Sequence, residues 1–537
     1  MAARTNLWEV RYGGREESMS TGGFLTQPLK RAAQMRPNGV GTIDGDRRRT
    51  WAEILERVSR LGGALAQLGI AAGERVAILA FNSDRYFELH FALPWAGVAM
   101  VPVNTRLSPA EIEFVLQDSG ATAIFIDETH LPLLDQMPAA KAALKAMVLM
   151  SDGAAPAGCH AYEELIFKSQ PSEDRAGGGA TMAGIFYTSG STSGRSKGVV
   201  LSHDNLVQNA VNALIEIGYD KDSVYLHAAP MFHLTDGMST YSLTMIGGTH
   251  VFVPKFDARQ VLETVQKHRV TNLCLVPTMI EMMVSLAEKE PFDISSLKQF
   301  QFGASPMPDA TLERAIKLWP DMLYLHGWGM TELSPLGTTL PLRYRDPKVA
   351  GKKLKSCGVE ALNEEIRIVD EEGRDVPTGT VGEMIVRGPM VMQGYWNLPD
   401  ETAKTVRNGW MHTGDAAYRD EEGLIYIADR LKDMIISGGE NIYSTEVENV
   451  IGRFPGVAHV AVIGLPHPKW GESVHAVIIP EPGAKIDTDE VTRFVKTQIA
   501  GYKAPRSYSM RSDPMPLTSS GKVSKRLLRE QYRSDGA

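Results

Sequence analysis

"WAEILERVSRLGGALAQLGI" (Trp51 to Ile70) is followed after four residues by "RVAILA" (Arg75 to Ala80), and the change of period between the two decides the fold. Trp51, Ile54, Leu55, Val58, Leu61, Leu65 and Leu68 recur three and four residues apart, which puts them on one stripe of a helix. "RVAILA" carries no such stripe; it is a short apolar run of the kind found in strands covered on both faces. The same change recurs toward "TAIFID", "THVFVP" and "TNLCLVP", so the pattern predicts α/β layers. Near Gly358 the texture changes to "EEIRIVDEEGRDVPTGTVGEMIVRG", whose alternation between Gly and Pro turns predicts an antiparallel β-rich subdomain. After "DRLKDMIISGGENIY" a unit of about one hundred residues, long enough to pack as a small domain, holds "HVAVIGLP", "HAVIIP" and the amphipathic "DTDEVTRFVKTQIA". Its Val491, Phe494, Val495 and Ile499 face inward, which predicts a small α+β domain.

Composition bounds the function. The 537 residues, 43% apolar and 22% charged, describe a compact protein of several packed units. A net charge of -8 without blocks of like charge argues against a nucleic-acid partner. From Gly501 onward eight Lys or Arg stand against three acids, a basic tail expected to be mainly a solvated face. Cys159, Cys274 and Cys357 have no ligand or disulfide spacing, and the first thirty residues carry no apolar signal core, so a cytoplasmic setting is expected. "YFELHFALPWAGVAMVPVN" contains Glu88, His90 and Pro94 and is expected to be core, not a membrane span.

A second stretch raises the question of chemistry. "TSGSTSGRSKG" (Thr188 to Gly198) combines glycines, hydroxyls and a lysine, the ingredients of a loop that turns N–H groups toward phosphates. The P-loop spacing fails, because the residue five beyond Gly190 is Arg195, and the hydrolase elbow fails, because Thr192 stands at its centre. On these residues alone a flexible linker remains an equal reading.

"YTSGSTSGRSKGVVLSH" resembles the phosphate loop of the adenylate-forming superfamily, which includes acyl-CoA synthetases, adenylation domains and firefly luciferase. "PMFHLTDG", "FGASPM", "GWGMTE", "MHTGDAAYRDEEGLIYIADRLKDMIISGGENIYSTEVE" and "PLTSSGKVSK" resemble further signatures of that family, in the family's order. The resemblance implies an α/β fold with a large N-terminal domain of layered α/β subdomains plus a β-rich subdomain, residues 1–431. A small, mobile α+β C-terminal domain, 432–537, would turn about a hinge at Lys432. It implies an ATP-dependent acid:CoA ligase that forms an acyl-adenylate and pyrophosphate, then a CoA thioester and AMP. ATP, Mg2+ and coenzyme A are the implied cofactors, and a homodimer is common in the family.

The site residues follow from matching positions. Thr188, Ser189, Gly190, Ser191, Thr192, Gly194 and Lys197 would hold the β and γ phosphates, and Glu332 would ligate magnesium. Gly303, Ala304 and Ser305 would form one wall of the adenine slot; Gly327, Trp328, Gly329, Met330 and Thr331 would form the other, with Trp328 as a flat platform where the family more often has Tyr. Asp415 and Arg430 would bind the ribose hydroxyls. Lys522 would bridge carboxylate and phosphate in the adenylating conformation, His233 would stand beside the acyl carboxylate, and Gly438 and Gly439 would let the pantetheine arm pass. Ser193 is one residue more than the usual loop has, and Ser196 replaces its proline. The acyl wall, around Phe232, Thr235 to Ser239, Gly303 and Leu333 to Gly337, is apolar apart from Asp236 and favours a fatty, aryl or aryl-alkanoic acid. Loading of a carrier protein in trans, or a catalytically silent nucleotide-binding protein, are the alternative functions.

Overall fold

The computed structural model describes residues 22–188, 196–305, 307–518 and 522–534. The helix that opens the argument, Trp51–Gln67, starts where Thr50 and Glu53 cap each other: Glu53 N–H donates to the Thr50 hydroxyl and Thr50 N–H to the Glu53 carboxylate. Trp51, Ile54, Val58, Leu61 and Leu65 are fully buried, and Leu55 and Leu68 pack against the same core. Arg75–Leu79 is the expected strand, the centre of an eight-stranded sheet in which it lies parallel to Ala99–Pro102 and Ala123–Ile126. Met182–Thr188 joins that sheet in parallel, and Lys197–Ser202 returns antiparallel beside it, so Thr188 and Lys197 end two neighbouring strands. Every residue of the Asp84–Trp95 helix is buried, its charged members paired: Asp84 with Arg47, Glu88 with Arg57 and Arg85 with Glu163. Among the described residues no helix is long and apolar enough to cross a membrane.

A nine-stranded sheet forms the second layer. Val224–His227, Thr249–Phe252, Asn272–Leu275, Gln299–Phe302 and Leu323–Gly329 run parallel, and Leu336–Thr339 folds back antiparallel at one edge. The His203–Ile217 helix is shared between the layers. Leu206 and Ala210 enter the core under the eight-stranded sheet, whereas Ala213 and Ile217 pack with Tyr225, Leu325 and Leu336 of the nine-stranded one. Polar residues on its remaining face therefore meet the loops between the two sheets.

The β-rich region is an antiparallel sheet of Glu365–Val369, Gly382–Arg387, Val406–Arg407, Trp410–Arg419 and Ile425–Arg430. The chain leaves it at Arg430 and enters another sheet at Ile435–Ser437, with Glu440–Ile442, Val457–His467, Gly471–Pro480 and Ser507–Met510. Val491 and Val495 of the Thr488–Gln498 helix are fully buried there, with Phe494 and Ile499 partly so. The basic tail departs from expectation: Lys503, Lys525 and Arg529 are each less than a fifth exposed and pair with Glu446, Glu448 and Asp433. These charges are structural ties, because the acids they meet sit on the Ser444–Ile451 helix and on the segment entering the domain.

Candidate active site

Two antiparallel strands of the β-rich sheet put Asp415 directly opposite Arg430. Asp415 is 2% exposed, and Arg430 Nε lies 2.6 Å from its Oδ1. Its Oδ2 accepts a 2.7 Å hydrogen bond from the indole N–H of Trp328. Burial raises the Asp415 pKa, opposed by Arg430, the Trp328 N–H, Lys522 and Lys432. Trp328 does more than offer a flat face. It is 8% exposed, its ring packs so closely on Gly337 that a Cβ there would come within 2.6 Å, and it joins the core of the β-rich sheet. A tyrosine presents its polar atom at the ring's tip, whereas the indole donates from its side, toward Asp415.

Glu332 sits in a short turn, Thr331–Leu333, and is 7% exposed. Tyr395 holds it by a 2.8 Å hydrogen bond from the phenol to Oε1. Tyr395 reaches that place because Gly394–Tyr395 pairs with Val199 and Val200 of the strand beginning at Lys197. The Lys197 ammonium lies over the Tyr395 ring, 5.0 Å from its centre, and forms a 2.7 Å ion pair with Glu401. The Lys197 hydrogen bond and charge hold the Glu401 carboxyl down to about 2. One tyrosine thus links the lysine of the glycine-rich stretch to the carboxylate of the other layer. Thr188 ends its strand opposite Lys197, and Ser189, Gly190, Ser191, Thr192 and Gly194 lie outside the described residues.

Gly303 lies where its neighbour leaves no space: a Cβ would come within 2.3 Å of the Gly327 carbonyl oxygen. Ala304 follows with φ +67°, a left-handed conformation uncommon for alanine. A Cβ on Gly329 would meet the Pro335 carbonyl at 1.8 Å, so this segment of Gly327, Trp328 and Gly329 lies flat against the returning strand. Gly303 to Ser305 and Gly327 to Thr331 are thereby neighbours at the ends of adjacent parallel strands, where ligands of open α/β sheets bind.

Lys522 is brought to this place from the C-terminal domain. Burial and the Arg430 charge, with Lys432 adding to them, push its ammonium down to about 8 against the opposing pull of Asp415 and Glu332. The Lys522 charge also acts on His233, whose pKa burial lowers to about 3 with Lys522 and Arg106 contributing. His233 Nε2 is buried without a hydrogen-bond partner among the described residues, at the start of the Leu234–Thr244 helix. Lys432 lies in the crossing segment, where its carbonyl accepts from Arg529. Gly438 and Gly439 are the two turn residues of a hairpin in which Ser437 pairs with Glu440, with φ +64° and +87°, and Gly438 packs near Trp470. Both positive φ values favour glycine through the turn alone.

Several residues that sequence reasoning missed hold the site in place. Besides Tyr395 and Glu401, Asn209 donates to the Leu333 and Leu336 carbonyls and fixes the segment after Glu332. Asn205 grips the Pro389 and Val391 carbonyls on the approach to Tyr395. Their spacing of four places them on one helix face, but a helix face names no partner. Asp236, the acid on the apolar wall, is fully buried and engaged by His227 at 2.5 Å and by Tyr225 at 3.2 Å. Among the described residues no group of three His, Cys, Asp or Glu could cage a metal.

The family model described as "AMP-binding enzyme" matches residues 29–396, and that described as "AMP-binding enzyme C-terminal domain" matches 446–522. A feruloyl-CoA synthase of an Amycolatopsis species is 38% identical over 96% of this chain and 100% of its own. A fatty acid–[acyl-carrier-protein] ligase, ScoC, of Streptomyces coeruleorubidus is 33% identical over 96% and 97%. Among solved structures, o-succinylbenzoate CoA synthetase of Bacillus subtilis with its acyl-adenylate superposes with a TM-score of 0.82 at 30% identity, covering 94% of this chain and 97% of that one.

Proposed function

This chain belongs to the AMP-binding enzyme family and is an acyl-CoA synthetase of the AMP-forming type; from that premise we propose how its own residues carry the two steps. In the first, an acid carboxylate attacks the α-phosphorus of ATP and pyrophosphate leaves. No general base is required, because a carboxylic acid is ionised at neutral pH. The difficulty is electrostatic: two anions must meet, and charge grows on the phosphoryl oxygens. Lys522 supplies the cation at the reacting groups, Lys197 and the N–H groups of residues 188–198 hold the terminal phosphates, and Asp415 with Arg430 holds the ribose. Gly303 to Ser305 and the Gly327 to Thr331 segment enclose adenine.

Glu332 suits a magnesium ion that keeps several waters, since it is a single carboxylate oriented through one oxygen by Tyr395 and among the described residues no protein cage surrounds it. When bound, the ion supplies neutralisation of phosphate charge; the residues named here orient it. The second step needs a different face of the C-terminal domain. Residues 432–537 turn about Lys432, withdraw Lys522 and bring the Gly438–Gly439 hairpin toward the thioester site, with residues 1–431 as the fixed body. The acid is fatty, aryl or aryl-alkanoic, because Asp236 is already taken and leaves no free carboxylate for an amino group. An aryl acid is further supported by the feruloyl-CoA synthase relative. The ScoC relative supports a second acceptor, a carrier protein in place of CoA.

The observation that carries this reading is the convergence of Lys522, Asp415, Arg430, Lys432 and Glu332 in one electrostatic cluster. Lys522→Ala should lower acid-dependent pyrophosphate release about 10²- to 10³-fold, the loss expected for one transition-state donor, while thioester formation from preformed acyl-adenylate stays within a few-fold. Equal loss of both half-reactions rejects the role. Assays with CoA and with a carrier protein identify the acceptor.

A further inference from the structure

Lys522 is carried on a short hairpin: Leu517 bridges Val523, Thr518 N–H donates to the Lys522 carbonyl and Ser524 N–H to that of Pro516. The helix Lys525–Ser534 follows directly. Leu528, fully buried, and Val523 pack with Ala461, Ile463 and Val477 of the C-terminal sheet, so hairpin, helix and sheet form one packed body. Lys525 and Arg529 stand four residues apart and therefore share one face of this helix. That face meets the segment crossing between the two domains. The Lys525 ammonium donates to Ser444 Oγ and pairs with Glu448, and the Ser444 hydroxyl in turn donates to Asp429. One turn later Arg529 pairs with Asp433 and donates to the Lys432 carbonyl at 3.4 Å.

A peptide unit is planar, so the Lys432 carbonyl and the Asp433 N–H move together. Arg529 holds that carbonyl and the Asp433 carboxylate, which fixes the plane between residues 432 and 433 in the frame of the C-terminal domain. On the other side, Leu431 N–H donates to the Gly414 carbonyl at 2.9 Å, and Gly414 directly precedes Asp415 in its strand. That bond fixes the plane between residues 430 and 431 in the frame of the β-rich sheet. Only the backbone dihedrals of Leu431 and Lys432 lie between the two fixed planes. Asp433 and Met434 N–H both donate to the Arg430 carbonyl, at 2.9 and 3.0 Å, so a turn closes this gap while Lys522 is inside.

Resting on the ligase reading above, we propose that Arg529 is a positioning residue for Lys522. By making the 432–433 plane part of the C-terminal domain, it confines domain rotation to Leu431 and Lys432, and Lys522 returns to one place in every cycle. Without Arg529 the rotation spreads into Asp433 and Met434, and the Lys522 ammonium samples a wider volume. Misplacing a reacting partner by about 1 Å costs up to about 10²-fold in rate. Arg529 acts through the hinge, not on the reacting atoms.

The test compares Arg529→Ala and Arg529→Lys with wild type in three measurements: acid-dependent pyrophosphate release, thioester formation from preformed acyl-adenylate, and trypsin cutting after Arg430 and Lys432, read by mass spectrometry. In Arg529→Ala, kcat for pyrophosphate release should fall about tenfold or more, with the ATP KM within about twofold. Thioester formation, which proceeds with Lys522 withdrawn, should stay within a few-fold. Hinge cutting should be several-fold faster at an unchanged thermal midpoint, because the tie is local. Arg529→Lys should recover most of the rate, since one ammonium has donors for both the carboxylate and the carbonyl. A structural role would lower the midpoint and both half-reactions together, which overturns the proposal, as would slower release without faster hinge cutting. If Arg529→Ala fails to fold, Asp433→Asn, which keeps the shape and removes the charge, is read by the same split. Wild-type release that Arg529→Ala leaves intact overturns this role alone. Absence of acid-dependent release from wild type overturns the ligase reading and this role with it.

Discussion

Lys522 shows how one side chain takes its properties from its company. A lysine in a tail is an ordinary solvated cation, but here burial and the neighbouring Arg430 and Lys432 bring its pKa to about 8, with Asp415 and Glu332 pulling the other way. The sign follows. The cationic form acts, so activity is full below that value and is lost as pH rises through it. For the adenylation half-reaction, kcat/KM should fall above pH about 8, since this ratio reports the free enzyme. In Lys522→Arg, whose guanidinium stays charged, the residual rate should stay level across the same range. A falling limb retained in that variant would place the titrating group elsewhere.

At the scale of single elements, the two-residue strand Gly394–Tyr395 has an effect larger than its length. It anchors on Val199 and Val200, so its phenol lands between Lys197 and Glu332, and Met392 N–H donates to the Glu332 carbonyl just before it. Tyr395→Phe keeps the ring under Lys197 and removes only the hydrogen bond to Glu332. It should raise the Mg2+ concentration for half-maximal adenylation several-fold, within the 10–100-fold range known for lost supporting partners, with little change in thermal midpoint. An unchanged Mg2+ requirement would detach Tyr395 from metal positioning. The helix His203–Ile217 works similarly through Asn205 and Asn209, which clamp the loops carrying both residues.

At the scale of the whole molecule, described residues tie the C-terminal domain to the rest at Asp429 and at Asp309. Asp429 accepts hydrogen bonds from the Ser444 N–H and hydroxyl at 2.6 and 2.5 Å, next to the crossing segment. Farther away, Arg453 pairs with Asp309, which Lys355 also holds at 2.6 Å. Rotation about Lys432 would part Arg453 from Asp309, and Lys355 would keep the carboxylate neutralised. Arg453→Ala should therefore shift the balance away from the arrangement with Lys522 inside. Arg453 is 43% exposed and Lys355 also holds Asp309, so the pair contributes about 0–1 kcal/mol and adenylation should slow by no more than about fivefold. Thioester formation from isolated acyl-adenylate should hold or rise; a loss there as large as in adenylation would show that the pair supports folding, not domain position.

Sequence by itself determined the layers, because helix and strand periodicities of 3.6 and 2 are written in the order of apolar residues: the stripe from Trp51 to Leu68 and the run from Arg75 needed no partner to be read. Motif order likewise singled out Asp415, Arg430, Trp328, Glu332 and Lys522 as one set. Only the tertiary structure decided what each meets: that Trp328 donates to Asp415, that Tyr395 steers Glu332, that Asp236 is occupied. It also turned Lys503, Lys525 and Arg529 from solvated charges into ties. The reason is physical. Periodicity is a local property of the chain, whereas desolvation and hydrogen bonding depend on which distant atoms arrive at the same place.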